Sequence, residues 1–469
     1  MLQMIVVAFV YILCIFLNDG FMATDEYFTG ITRYVPAQTS DVYHLVNADD
    51  VKSPLQILPM HAFAQLALKL GVTHPYWQYR FSFSILAIIN VLILGWVFLN
   101  YPGPTNDKIR SVRFLIFGFF FLAPFAFTRP MFESLAAPWV ALSALFASRY
   151  DQLEFRKDLL LSVIFISIAF MMRQQVGICA LALVMLPLFK KRPKDFVSVC
   201  IIGLLTFVIL GVPDYFLRGG FHYSLFAILK YNIAYGSSYA THPIYTYPVL
   251  IFFLCFGPWW IMKFPAGFWK NHFRSYRVEW LMLGLFVVLH SSFPQKWERF
   301  LISMIPLFII LLSPLFLLLW EDAKTRRFRL GTLIAFNLIL FIPATFFPPQ
   351  KNLIELSQYI DQHPEINTVI RVNNTPEWIT DAFIKNPKFN FRDVSEKDLS
   401  ALAPDYCSDI LVISRSLANK VNLEFWTFEA KLNVNAIEEI AFKLNPTKNV
   451  RRAPLMIFKG KNNCLKYQK

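Results

Sequence analysis

Charge is what this sequence has least of. Of its 469 residues, 16% are charged, against 56% hydrophobic and 17% aromatic. A soluble domain carries about 25% charge, so the shortage excludes an ordinary soluble protein and leaves an integral membrane protein. Cysteine is sparse as well. The six cysteines include no CxxC pair, which removes the usual zinc and redox motifs. Cys14, Cys179, Cys200 and Cys255 fall in apolar runs and read as packing residues. Cys407 and Cys464 fall in polar C-terminal sequence, where an oxidising compartment would let them pair. Internal repeats, low-complexity tracts and nucleotide-binding motifs are missing too. The start lacks a basic region and an A-x-A site, so the apolar run 4–17 reads as a retained first span. The formal net charge of +14 would suit a nucleic-acid partner, but the basic residues sit in short loops between apolar runs, and no such partner is read.

What is present is hydrophobic length. About eleven apolar segments occur, at 3–17, 79–99, 114–128, 131–147, 158–172, 176–189, 196–213, 248–262, 279–293, 301–320 and 330–347. Several are shorter than the ~20 residues a straight helical span needs. The pairs 114–128/131–147 and 158–172/176–189 are joined by such short turns that either pair could be re-entrant. Removing a pair leaves the sidedness of the rest unchanged. The loops after the even-numbered segments hold eighteen Lys and Arg residues, from Lys108 to Arg329, and so belong on the cytoplasmic side. The opposite, exoplasmic side then receives the long first loop (18–78), the turns at Arg129 and Arg173, the central loop (214–247), the turn 295–299 and everything from 348 onward. Every unusual polar cluster converges on one membrane face.

From residue 348 the composition changes to charged and mixed. Thr368–Val372, Ile410–Ile413 and Pro454–Phe458 read as short buried strands, and 351–362 and 437–444 as helices. The expected fold is therefore mainly α. A polytopic membrane domain of about eleven transmembrane helices (1–347) is followed by a small exoplasmic α/β domain (348–469), large enough to fold alone.

Five constellations could carry chemistry. Asp25-Glu26 follows the first apolar run; two adjacent carboxylates also suit a plain helix start. Their loop adds Asp19, Asp41, His44, Asp49, Asp50 and His61 and is too long for a mere connector. Segments such as Tyr27–Tyr34 and Ser53–Lys69 suit interfacial helices. Arg129-Pro130-Met131-Phe132-Glu133 and Arg173-Gln174-Gln175 mark two turns, where a single Arg more often snorkels to headgroups. The stretch Asp214–Tyr247 is rich in Tyr. An interfacial aromatic belt explains its tyrosines but not His242 or Asn232. Finally, Gln295-Lys296-Trp297-Glu298-Arg299-Phe300 puts Lys and Arg together on the side poor in positive charge, where they suit a phosphate-bearing ligand.

Together these residues fit transfer of a sugar from a lipid phosphate. The leaving phosphate is already anionic and needs cations rather than a general acid. The acceptor hydroxyl needs one carboxylate as base. A transporter or flippase is a second reading, but transporters place ionisable groups near the midplane of their spans, and here they lie at segment ends. A catalytically inactive subunit is a third.

The motifs resemble those of the glycosyltransferase family 22 α-mannosyltransferases. These are GT-C-class enzymes of oligosaccharide and GPI-anchor assembly that use a lipid-phosphate mannose donor. Where that family has His-Pro-Asp-Glu, this chain has Ala23-Thr24-Asp25-Glu26. The family's His-Lys-Glu-Glu-Arg-Phe is matched by Gln295 to Phe300. Its Tyr-Asn, Tyr-Gly and His-Pro-Trp-x-x-Tyr elements are matched by Tyr231-Asn232, Tyr235-Gly236 and His242-Pro243 to Tyr247. The resemblance implies an inverting transfer of a sugar, mannose first, from a polyprenyl-phosphate donor in the membrane to a glycan or glycolipid hydroxyl. It implies Asp25 as catalytic base with Glu26 beside it, and Lys296 and Arg299, helped by His242 and Arg129, as holders of the donor phosphate. Asn232, Tyr247 and Glu298 would touch substrate. No cofactor or metal is implied, although the acidic first loop leaves room for a divalent cation. The membrane would be bacterial, with a periplasmic active face, or that of the endoplasmic reticulum, with a lumenal one. In the second case Asn373-Asn374-Thr375 becomes a glycosylation acceptor.

Overall fold

The computed structural model describes residues 2–17, 19–21, 52–102, 107–235, 241–252, 264–321, 326–372, 383–385, 390–446, 449 and 452–461. The chain divides into two compact units. One draws on Met1–Ile15, Thr39–Ala62 and Ser82–Ile342; the other draws on Phe16–Gln38, Phe63–Phe81 and Pro343–Lys469.

The first unit is a bundle of apolar helices. Segments Pro75–Asn100, Pro193–Arg218, Glu298–Glu321 and Phe328–Gln362 are long and apolar enough to cross a membrane, and Leu2–Leu17 and Gln174–Phe189 are shorter apolar helices. Among the described residues these four are fewer than the eleven apolar segments of the sequence: several segments are short or broken, and most of 248–262 lies outside the described residues. The run 114–128 is one of them: the helix Asp107–Phe119 stops and the chain restarts as Ala123–Thr128, with Pro near its start. The backbone groups freed by the break are taken up by Asn337, whose Nδ2 donates to the Phe119 carbonyl at 2.6 Å and whose Oδ1 accepts from the Phe121 amide at 3.0 Å. In hydrocarbon an unpaired amide costs several kcal/mol, so such a break needs a polar side chain beside it.

The centre of this unit is a helical hairpin, Phe132–Leu153 and Arg156–Met172. Ala136, Ala137, Ala141, Ala144 and Ala147 are fully buried along the first helix. Small side chains let backbones approach, which matters in lipid, where apolar burial alone drives no association. Ser143 and Ser162 hydrogen-bond across the pair at 3.2 Å. The tight turn is closed by Glu154 in the left-handed region (φ 61°), with its amide on the Tyr150 carbonyl. Elsewhere, Ile201, Leu204, Leu205, Val208 and Ile209 stay exposed on the helix Pro193–Arg218. Their three-to-four-residue spacing forms an apolar stripe suited to lipid.

The second unit is built on a five-stranded sheet. Its strands are β1 (Thr368–Val372), β2 (Asn390–Val394), β3 (Ile410–Ser414), β4 (Trp426–Leu432) and β5 (Leu455–Gly460), in the order β2-β1-β3-β5-β4. β1 runs parallel to β2 and β3, and β5 antiparallel to β3 and β4. Every residue of β3 is buried, as befits a central strand. Leu411, Ile413 and Trp426 pack in its core, each burial contributing about 1.5–3 kcal/mol. The Trp426 indole donates to the Leu402 carbonyl at 2.8 Å. Asn435 caps the helix Ala436–Leu444, accepting from the amides of Ile437 and Glu438. Two earlier pieces of chain belong to this unit. The Phe21 amide donates to the Pro349 carbonyl at 2.8 Å, and a Cβ on Gly20 would collide with the same oxygen. Tyr76 donates to Asp19, and His74 pairs with Asp361 at 2.8 Å. Cys407 is disulfide-bonded, and Cys464 lies outside the described residues.

Candidate active site

Two loops of the first unit are stitched together by residues that the sequence singles out. Thr241 forms a β-bridge with Gln295, and the His242 amide donates to the Pro294 carbonyl at 3.0 Å. Lys296 is buried, and its Nζ donates to the carbonyls of His242, at 2.9 Å, and Phe293. The fully buried Tyr247 donates to the Trp297 carbonyl at 3.2 Å. Burial pushes the Tyr247 hydroxyl up to about 12, so it remains a hydrogen-bond donor at neutral pH. The ammonium of Lys296 has three hydrogens. With two directed at backbone carbonyls, its main work in this state is to join the central loop to the turn 295–299.

From that turn the chain enters a tight helical stretch, Glu298–Met304, which aims Arg299 inward. Arg299 Nε lies 3.8 Å from Glu133 Oε1, and Arg173 Nη2 forms an ion pair with the same oxygen at 3.0 Å. The Phe300 ring sits beside both cations, its centroid 4.9 Å from the Arg173 guanidinium and 5.7 Å from that of Arg299. Arg173 is steered from the other side by Gln175, which accepts its Nε–H at 3.0 Å. Ser303 donates to the Glu133 carbonyl at 3.0 Å and fixes the helix start. Gln56 donates to the Met172 carbonyl at 2.5 Å, so the end of the long first loop arrives one residue before Arg173.

Other expected site residues are placed differently. Arg129 is buried near the Phe125 and Phe83 rings, 5.5 and 5.9 Å from their centroids. Asn232 is exposed on the helix Tyr223–Tyr235, and Glu298 is exposed at the turn. The His242 side chain is exposed as well, its backbone making the contacts. Asp25 and Glu26 lie outside the described residues, as does the Tyr27–Tyr34 segment. Among the described residues no cluster of His, Cys, Asp and Glu could hold a metal ion. Sequence reading noted Glu133 and Arg173 only as turn markers. The signal for them was an ionisable residue at each end of an apolar run, where a partner is the default expectation.

Asp214, at the start of the central loop, has a local task. It accepts from the amide and hydroxyl of Ser224, at 3.0 and 2.5 Å, and joins the helix Pro193–Arg218 to the next one. The Tyr-rich loop is thereby held at its base.

The fold is similar to that of ArnT from Cupriavidus metallidurans. In the crystal structure of that protein bound to undecaprenyl phosphate, 97% of each chain is covered at 11% identity with a TM-score of 0.57. Its apo structure gives 10% identity, the same coverage and a TM-score of 0.56. At such identity the likeness concerns the fold. No protein of curated function matches the chain in sequence. The model of the Alg9-like mannosyltransferases matches residues 2–379, most of the chain. The protein is an integral membrane glycosyltransferase and belongs to the Alg9-like mannosyltransferase family.

Proposed function

We propose that the protein moves a sugar, mannose first among candidates, from a polyprenyl-phosphate donor to a hydroxyl of a glycan or glycolipid. The observation that carries this reading is the gathering of Arg173 and Arg299 around one buried carboxylate, beside a loop pair tied by Lys296. Cations held in a partly dry site stabilise the charge that develops on a departing phosphate. The undecaprenyl phosphate bound to the similarly folded ArnT supports a lipid-phosphate donor. In this reading Arg299 and Lys296 meet the donor phosphate, with His242 and Arg129 as helpers. Asn232, Tyr247 and Glu298 contact the sugars. Asp25 takes the proton of the acceptor hydroxyl, and Glu26 orients the acceptor or the base. The hydroxyl oxygen attacks the sugar C1 from the face opposite the phosphate, so configuration inverts. No cofactor takes part.

The finer topology belongs to the same proposal. About eleven membrane segments bring the active face to the exoplasmic side, where residues 348–469 form a separate domain. That side is the periplasm of a bacterial cytoplasmic membrane or the lumen of the endoplasmic reticulum.

The test is transfer by the full-length protein in liposomes, supplied with polyprenyl-phosphate mannose and mannose-terminated glycolipids. Asp25→Asn is expected to lower the rate by about 10²–10⁴-fold. A variant that keeps its full rate would remove Asp25 as the base.

A further inference from the structure

The helix Tyr223–Tyr235 in the central loop is short and apolar, and it turns large side chains outward. Phe226, Leu229 and Ile233 are 64%, 49% and 86% exposed. Spaced three and four residues apart, they form one stripe along the helix. Lys230, also exposed, borders that stripe. The buried Ser224 lies on the opposite side of the axis, where it binds Asp214. The stripe carries on from the helix before it. There the exposed row from Ile201 to Ile209 extends through Tyr215 and Phe216, and the turn between the two helices exposes Phe221.

Helix dimensions set the depth of this stripe. Lys190, Lys191, Arg192 and Lys194 surround Pro193 and belong at headgroup level. From Pro193 to Asp214 the helix rises about 31 Å at ~1.5 Å per residue, close to the ~30 Å thickness of the hydrocarbon. The junction of Asp214 with Ser224 therefore falls at the opposite boundary of the bilayer, and the next helix starts there. That helix is about 20 Å long, too short to cross back. A helix that starts at the boundary, cannot span and shows one apolar stripe flanked by a lysine fits along the surface. We propose that Tyr223–Tyr235 is an interfacial helix, with Phe226, Leu229 and Ile233 among the acyl chains and Lys230 reaching up to the headgroups, so that the bilayer itself is a docking partner of the central loop. The lysine stem covers apolar surface while its ammonium stays in water. Shortly after the helix, Thr241 bridges to Gln295. The central loop is thus held by lipid on one side and by the turn 295–299 on the other, with Tyr231-Asn232 at headgroup level.

The experiment places a photoreactive diazirine amino acid at Leu229, Ile233 or Tyr235 of the full-length protein. The protein is held in nanodiscs of phosphatidylcholine and phosphatidylglycerol that also contain polyprenyl phosphate, and the adducts are identified by mass spectrometry. Tyr235 lies nearly opposite Ile233 around the helix and serves as the comparison. Phospholipid adducts at Leu229 and Ile233 are expected to exceed those at Tyr235 about tenfold, the scale of contact set by burying one large aliphatic side chain. Equal phospholipid yields at the three positions would overturn the proposal. So would adducts at Leu229 and Ile233 made mainly with polyprenyl phosphate or with a second copy of the chain, since the stripe would then serve that partner. In the unsubstituted protein a membrane-impermeant acylating reagent should modify Lys230. A Lys230 that resists the reagent in nanodiscs but reacts after denaturation would put the helix below the interface and overturn its placement. Should a replacement at Leu229 or Ile233 give no folded protein, Phe226 takes its place with the same expectation.

Discussion

The two ends of the helix Phe132–Leu153 handle charge in opposite ways. They lie about 33 Å apart along the axis at ~1.5 Å per residue. At the Leu153 end, acids and bases are nearly balanced. Arg149 pairs with Asp158 at 3.2 Å, Lys190 with Glu154 at 3.1 Å, and Arg192 and Arg277 with Glu154 and Asp151. Those arginines are 36–41% exposed. At the Phe132 end, two less exposed arginines, Arg173 and Arg299, lie 3.0 and 3.8 Å from the Glu133 carboxylate. The contrast shows that a positive loop in the sequence is not yet an anion site. The Leu153 end carries more basic residues, but their acids cancel them and solvent screens the pairs. The Phe132 end has fewer among the described residues, and they are less exposed.

The sharpest way to break this contrast is to remove its cations one at a time. Arg299→Ala and Arg173→Ala are each expected to lower kcat/KM with polyprenyl-phosphate mannose by about 100-fold or more. Losses below tenfold for both would make the two ends equivalent. A carboxylate buried without a facing ion pair sharpens the contrast from another side. In the sheet unit, Glu438 is 5% exposed and accepts from the Gln350 amide and the Asn435 side chain. Burial pushes its carboxyl up to about 7. The folded unit thus binds the proton more tightly than the unfolded chain, whose carboxyl titrates near ~4.3. Stability from this group is complete below that value and is lost as pH rises through about 7, about 3–4 kcal/mol in all. Fluorescence of the buried Trp426 during thermal unfolding at pH 5 and pH 8 would report it. Glu438→Gln should flatten the dependence, and a unit equally stable at both values would show that Glu438 stays charged. The smallest effect belongs to the balanced end. Glu154→Ala or Arg192→Ala should leave both the melting temperature and transfer nearly unaltered, because solvent screens these pairs. A thermal melt paired with the transfer assay checks both statements, and a clear loss of transfer would give that end a functional part.

The parts of this architecture that were legible in the sequence are those set by local composition. The strand Thr368–Val372 and the helix Lys351–Gln362 follow from apolar spacing over a few residues. β2 did not show itself. Four of its five residues are exposed, so Asn390–Val394 carries no apolar alternation. β4 was hidden by the irregular register between Phe428 and Ala430, which breaks period two. For the site, hydropathy located the helix ends bearing Glu133, Arg173 and Arg299. It could not reveal that they meet, because rotation about a helix axis and the packing of distant helices leave no mark in a one-dimensional pattern. The attachment of residues 19–21 to Pro349 was equally unreadable, since it joins positions more than three hundred residues apart through one amide and one missing side chain.

The placement of Lys296 has a practical consequence. An amine enclosed between the carbonyls of His242 and Phe293 is shielded from acylating reagents, whereas lysines on the outer loops are not. Its rate of acetylation, read by mass spectrometry, is a built-in clock for how often the central loop and the 295–299 turn part company. A donor lipid that wedges these loops open or clamps them shut would announce itself at this one side chain, before any acceptor has been identified.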